Sequence, residues 1–153
     1  MNRLSELNIS NKNLVIRVDM NVPIKDGTVV DNTRIIACMP TIKFALENNA
    51  KVLLITHLGR PTEGSFEEQF SLKPLVKELS RILECKVDLV DSLDSSEIFN
   101  SSSNVQILEN IRFFAGEKTN SNELGQTLSS LEIYMFSTLS GLRTESSHLH
   151  ILQ

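Results

Sequence analysis

Leu14-Val-Ile-Arg-Val-Asp-Met-Asn-Val-Pro23 joins a β-branched apolar run to a polar turn, and Lys51-Val-Leu-Leu-Ile-Thr-His-Leu-Gly-Arg-Pro61 does the same again. Runs this short and this continuously apolar read as strands buried on both faces, as in a parallel sheet. Between them, Asp31-Asn-Thr-Arg-Ile35 opens a helix, with Asn32 or Thr33 as its cap. A strand, a helix and a second strand in this order make one unit of an open parallel α/β sheet flanked by helices. Such sheets gather polar groups at the carboxyl ends of their strands. The residues carried there are Asp19, Asn21, Arg34, His57, Gly59 and Arg60. The set is cationic overall, with one carboxylate and one amide, which suits a small phosphorylated acid.

Outward from this stretch the alternation continues. The helix is expected over 34–48, with Ile35, Ile36, Met39, Ile42, Phe44, Ala45 and Leu46 on its apolar side and Pro40 kinking or splitting it. Ser71-Leu-Lys-Pro74 begins a second helix reaching about Glu84, with proline in its first turn. Val87–Val90 and Val105–Leu108 are two further strands, and a short helix is expected near Ser95–Phe99. Glu109-Asn-Ile-Arg-Phe-Phe114 leaves the end of the last strand, so Arg112 adds a cation to the same rim, with Glu109 and Asn110 supporting it from behind. Asn122–Ser130 reads as another helix, weakened by Gly125. Leu4, Leu7 and Ile9 are expected to cover one edge, and Asp26-Gly27 marks a turn.

Each candidate has a plainer explanation beside the functional one. Arg34 at a helix start opposes the macrodipole, so an anionic partner explains it better than helix stability, although a solvated surface arginine is the simpler alternative. Gly59 would let backbone approach an anion, or only make a strand-end turn. Asp19 and Asn21 flank Met20 in extended geometry and can point the same way, or form an Asx turn before Pro23.

With 153 residues, 41% hydrophobic and 22% charged, the chain fits one domain with a real core. A net charge of −4 argues against general affinity for nucleic acid or membrane surfaces. Cys38 and Cys85 lack metal-ligand spacing and suit a reducing, cytoplasmic setting. There is no P-loop, no dinucleotide fingerprint and no zinc spacing, and His148-Leu-His150 alone is not a metal site.

In combination, the series Arg17–Pro23, Asp31–Ile35, Met39-Pro-Thr-Ile-Lys43, Thr56–Pro61, Ser71–Pro74 and Ile107-Leu-Glu-Asn-Ile-Arg-Phe-Phe-Ala-Gly-Glu117 resembles the first half of phosphoglycerate kinase, in that family's order and approximate spacing. The resemblance covers residues 1–134. It implies the family's Rossmann-like N-terminal domain, incomplete here, which binds 3-phosphoglycerate. By resemblance Asp19, Asn21, Arg34, His57, Gly59, Arg60 and Arg112 are substrate-binding, and Arg34 is catalytic, stabilising the phosphoryl group in transfer. The family interconverts 1,3-bisphosphoglycerate and ADP with 3-phosphoglycerate and ATP, in the cytoplasm and as a monomer. The resemblance also implies that the Mg-ATP/ADP domain is absent from this chain, so no cofactor and no turnover are expected of it alone. A non-catalytic anion-binding remnant and an inert pseudogene product are the alternatives.

After Tyr134 the resemblance stops where the family continues with a motif like D-A-F-G-T-A-H-R. Residues 135–144 can be encoded as ATG TTC TCG ACG CTT TCG GGA CTG CGC ACA. Begun one base earlier, on the final T of Tyr134, the same bases read Y-V-L-D-A-F-G-T-A-H, and the last base of Thr144 with the GA that opens Glu145 makes an arginine codon. Residues 135–153 are therefore expected to be a non-homologous, out-of-frame tail with little order.

Overall fold

A computed structural model of the chain describes residues 4–93, 97–114, 134–138 and 147–149, the last two segments as backbone. Strand β1 (Asn13–Arg17) leads through a two-strand hairpin, β2 (Ile24–Lys25) and β3 (Thr28–Val29), into helix α1 (Thr33–Glu47). Strand β4 (Lys51–Ile55), helix α2 (Lys73–Leu83), β5 (Val87–Val90) and β6 (Val105–Leu108) follow, then β7 (Tyr134–Thr138) and β8 (Ser147–Leu149). The main sheet has the order β5-β6-β4-β1-β7-β8, parallel except for the β7–β8 pair. This is the expected open parallel sheet flanked by helices.

Alternation along the strands divides the core in two. Leu14, Ile16, Val52, Leu54, Val105 and Ile107 face α1 and α2, packing on Ile35, Ile42, Leu75 and Leu79. Val15, Leu53, Ile55 and Leu108 face the other way, onto Ile98 and Ile111. Because both faces are covered, the strand sequences show no polar alternation. Each fully buried Leu or Ile side chain contributes roughly 1.5–3 kcal/mol. Leu4 and Ile9 are buried and Leu7 packs against the same core, as expected of the first segment.

Helix α1 departs from expectation in three ways. It passes through Pro40 without splitting. Proline leaves the Ile36 carbonyl without its i+4 donor, and because both residues lie on the exposed face, water can take that bond. For the same reason Ile36 is not on the apolar side: it is 47% exposed, whereas Cys38 is buried there. Neither Asn32 nor Thr33 caps through its side chain. Asp31 Oδ1 instead accepts from the Thr33 amide at 2.9 Å and the Thr33 hydroxyl at 2.6 Å. The Thr33 hydroxyl, then its amide, then nearby Arg34 hold the Asp31 carboxyl below its ordinary pKa.

The Asp26-Gly27 turn belongs to a full β-hairpin. Both residues have positive φ, 52° and 70°, the backbone that a two-residue loop of this twist requires. Of the helix expected near Ser95–Phe99, the described part, 97–99, is a turn. The helix expected over Asn122–Ser130 lies outside the described residues. Of the tail expected to have little order, the described residues 135–138 and 147–149 are strands. Backbone of Tyr134–Thr138 adds in parallel beside β1, with Leu14 opposite Tyr134 and Arg17 opposite Ser137. Strand pairing is made by main-chain groups, and it supplies partners to the otherwise open edge of β1.

Candidate functional site

The rim is assembled from the ends of β1, β4 and β6. As β1 ends, Met20 N donates to the buried Thr56 Oγ1 at 3.0 Å, tying the segment after β1 to the end of β4. Asp19 Oδ1 accepts from the Asn21 amide at 3.2 Å, so the Asx turn forms. Both Asp19 oxygens also lie 3.0 Å from Arg34 Nη1. The pair is open to solvent, with the arginine side chain 51% exposed and the aspartate 26%. Asp19 thus answers the charge problem that an arginine in the first turn of α1 creates.

The loop after β4 is clamped from both sides at Gly59. Its amide donates to Asn21 Oδ1 at 3.1 Å, and its carbonyl accepts from Arg112 Nη1 at 2.7 Å. Gly59 has φ +61°, and a Cβ there would stand 2.4 Å from Phe70 Cε1. Glycine is therefore required by the turn and by the Phe70 ring, which fills the space where closer approach of an anion was expected. His57 is half-buried, while Arg60 is exposed and makes no side-chain hydrogen bond or ion pair to any described residue.

Behind the clamp lies a buried polar pair. The Glu109 carboxylate, 5% exposed, accepts from Ser71 Oγ at 2.8 Å, from Leu72 N at 2.8 Å and from Asn110 N at 2.9 Å. It sits at the start of α2, where unpaired amides and the helix dipole favour an anion. The Asn110 amide nitrogen donates to Leu58 O at 2.8 Å and to Phe70 O at 2.9 Å, and its oxygen accepts from Arg112 N at 3.2 Å.

The fold therefore brings together Asp19 with Arg34, and Asn21 with Gly59 and Arg112. His57 and Arg60 flank Gly59 in chain order, and Arg60 makes no direct bond to those partners. Thr56 and Phe70 were not expected at the site, nor Ser71 behind it at Glu109. Ser71-Leu-Lys-Pro74 signals a helix start, but the partner of that start, Glu109, is 38 residues away and carries no local signature.

The family model of phosphoglycerate kinase matches residues 4–151. A phosphoglycerate kinase of Vibrio campbellii is 46% identical over 130 residues, which cover 84% of this chain and 33% of the relative. One of Desulfovibrio desulfuricans is 43% identical over 134 residues, covering 87% and 34%. Among solved structures, phosphoglycerate kinase from Coxiella burnetii superposes with a TM-score of 0.78 at 39% identity, over 88% of this chain and 34% of that one. The enzyme from Pyrococcus horikoshii gives 0.76 at 31% identity, over 90% and 36%. The chain spans about one third of the length of these relatives. On its family match, its identity to these relatives and its fold, the chain belongs to the phosphoglycerate kinase family.

Proposed function

We propose that the carboxyl-end rim binds 3-phosphoglycerate or 1,3-bisphosphoglycerate. It would be the acid-binding part of a phosphoryl transfer between 1,3-bisphosphoglycerate with ADP and 3-phosphoglycerate with ATP. The observation that carries this reading is the Gly59 clamp, which fixes the loop bearing His57 and Arg60 and leaves the Arg60 guanidinium without a protein anion among the described residues. Arg34, half exposed and already held by a carboxylate, is placed at a helix start where it would meet the charge of a phosphoryl group in transfer. A soluble cytoplasmic monomer, with no nucleic-acid or membrane partner, belongs to the same proposal. No helix among the described residues is long and apolar enough to cross a membrane.

Among the described residues, no group of three or more His, Cys, Asp or Glu side chains is gathered for a metal ion, and the rim is cationic. The proposal is confined to the acid. The 153 residues alone are expected to give no phosphoryl transfer in a coupled assay with 3-phosphoglycerate and Mg-ATP. Measurable turnover would overturn that expectation.

The test of the site is calorimetric titration of the chain with 3-phosphoglycerate. Saturable heat that Arg60→Ala and Arg34→Ala each weaken supports the reading. No heat from a chain that melts cooperatively would defeat it and would leave a folded but non-binding remnant.

The out-of-frame origin of residues 135–153 is part of the same proposal. Its support is the motif recovered one base away. Sequencing the locus would sink it if no single-base change separated this frame from one encoding that motif.

A further inference from the structure

Asn110 is completely buried, and both N–H donors and the oxygen of its side-chain amide are engaged. Its three partners belong to three different pieces of the rim. Leu58 O lies in the loop after β4, Phe70 O lies just before α2, and Arg112 N lies in the turn after β6. These are the two sides of the Gly59–Arg112 clamp, together with the residue whose ring lies against Gly59. Glu109 in turn holds Asn110 N, Ser71 and Leu72, so the bridge is anchored to the start of α2.

We infer that Asn110 is a positioning residue that sets the spacing between the His57–Arg60 loop and Arg112, and through that spacing the affinity of the rim for a phosphorylated acid. It touches no ligand itself. A buried amide with both donors and its oxygen committed holds one geometry, because any displacement breaks bonds at a side chain that water does not reach. An aliphatic residue of similar size would fill the space and hold nothing. The affinity half of the inference rests on the acid-binding reading of the rim, whereas the spacing half does not.

The two halves are measured separately on the full chain. Site-resolved amide exchange in ligand-free protein reports the spacing, with the Gly59 amide as the probe. That amide is protected by Asn21, which Asn110→Ala does not alter. In Asn110→Ala we expect Gly59 exchange to accelerate about tenfold or more beyond any change at Val15 and Leu53 in the sheet, since freeing the loop opens it locally. Loss of the bridge should weaken 3-phosphoglycerate binding in calorimetry by about tenfold or more, as small displacements of positioned groups do. Ser71→Ala is the control. It removes one Glu109 bond and the long bond from Lys73 N, but none of the Asn110 side-chain bonds, and both readouts should stay within about twofold once scaled to sheet exchange.

Gly59 and sheet exchange rising together in Asn110→Ala would mean that Asn110 only stabilises the fold, and would overturn the inference. Wild-type chain that takes up no 3-phosphoglycerate would defeat the acid-binding reading and the affinity half, while the exchange result still decides the spacing half. Should Asn110→Ala not fold, Asn110→Ser, which removes the double donor but keeps a small polar side chain, is judged by the same exchange criterion.

Discussion

Arg112 Nη1 donates to the Gly59 carbonyl at 2.7 Å, joining residues 53 positions apart across the ends of β6 and β4. The bond gives Arg112 two functions at once: it holds a backbone turn closed and brings a positive charge to the rim. Asn21 holds the amide of the same residue. A glycine gripped at both its donor and its acceptor makes a rigid point, and His57 and Arg60 are carried on either side of it.

Replacing that glycine should be costly for two separable reasons. Gly59→Ala places a Cβ in left-handed backbone and within 2.4 Å of Phe70 Cε1. Denaturant unfolding should show a loss of about 2–4 kcal/mol. In a Phe70→Ala background the steric part vanishes, and the same substitution should cost only about 1–2 kcal/mol, the backbone part alone.

Glu109→Gln tests the anchor at the start of α2. The carboxylate accepts three hydrogen bonds from inside the protein, two amides on Oε1 and the Ser71 hydroxyl on Oε2, and an amide loses the charge and must turn its NH2 to that hydroxyl, which then has to accept. A loss of about 2–3 kcal/mol in equilibrium unfolding is expected, as for a buried charge-assisted bond made unsatisfied. An unchanged midpoint would show that the network contributes little to stability.

The rim arginines should separate stability from binding. Arg34 is half exposed, so Arg34→Ala should change stability by less than about 1 kcal/mol even though its pair with Asp19 is lost. Arg60, without a bonding partner among the described residues, should be equally silent in a melt. Both substitutions should nevertheless weaken 3-phosphoglycerate binding by about tenfold or more, the scale of one lost charged contact.

Glu78 links the two helices and should give the fold an acid-sensitive contribution. Its carboxylate takes Arg81 Nη2 at 2.6 Å and, across to α1, Asn32 Nδ2 at 2.9 Å. The Arg81 bond, then the Asn32 bond, lower its pKa below the ordinary 4.5. A group whose folded pKa is depressed stabilises the fold fully above the unfolded value, and loses that contribution as pH falls through the folded value. Melts of wild type should therefore fall with acid below about pH 4.5 more steeply than melts of Glu78→Gln, with the two curves parallel near neutrality. Parallel curves throughout would remove Glu78 as a source of acid sensitivity.

The sequence alone determined the sheet class, the four strands from Leu14 to Leu108 to within a residue, both helices and the family. These follow from local facts: apolar runs this short and rich in β-branched residues suit strands buried on two faces, and Pro74 belongs in a first helical turn. It also put Asp19, Asn21, His57, Gly59, Arg60 and Arg112 just beyond strand ends, because a strand end fixes where its next residues lie. Only the tertiary structure decided what those residues touch. That Asp31 rather than Asn32 caps α1, that Asn32 turns to Glu78, and that Gly59 makes room for Phe70 all depend on groups brought close by packing. The Asn110 bridge shows the reason most clearly. Its partners at 58, 70 and 112 are far apart in the chain, and a buried amide finds them only when β4, α2 and β6 are already in place.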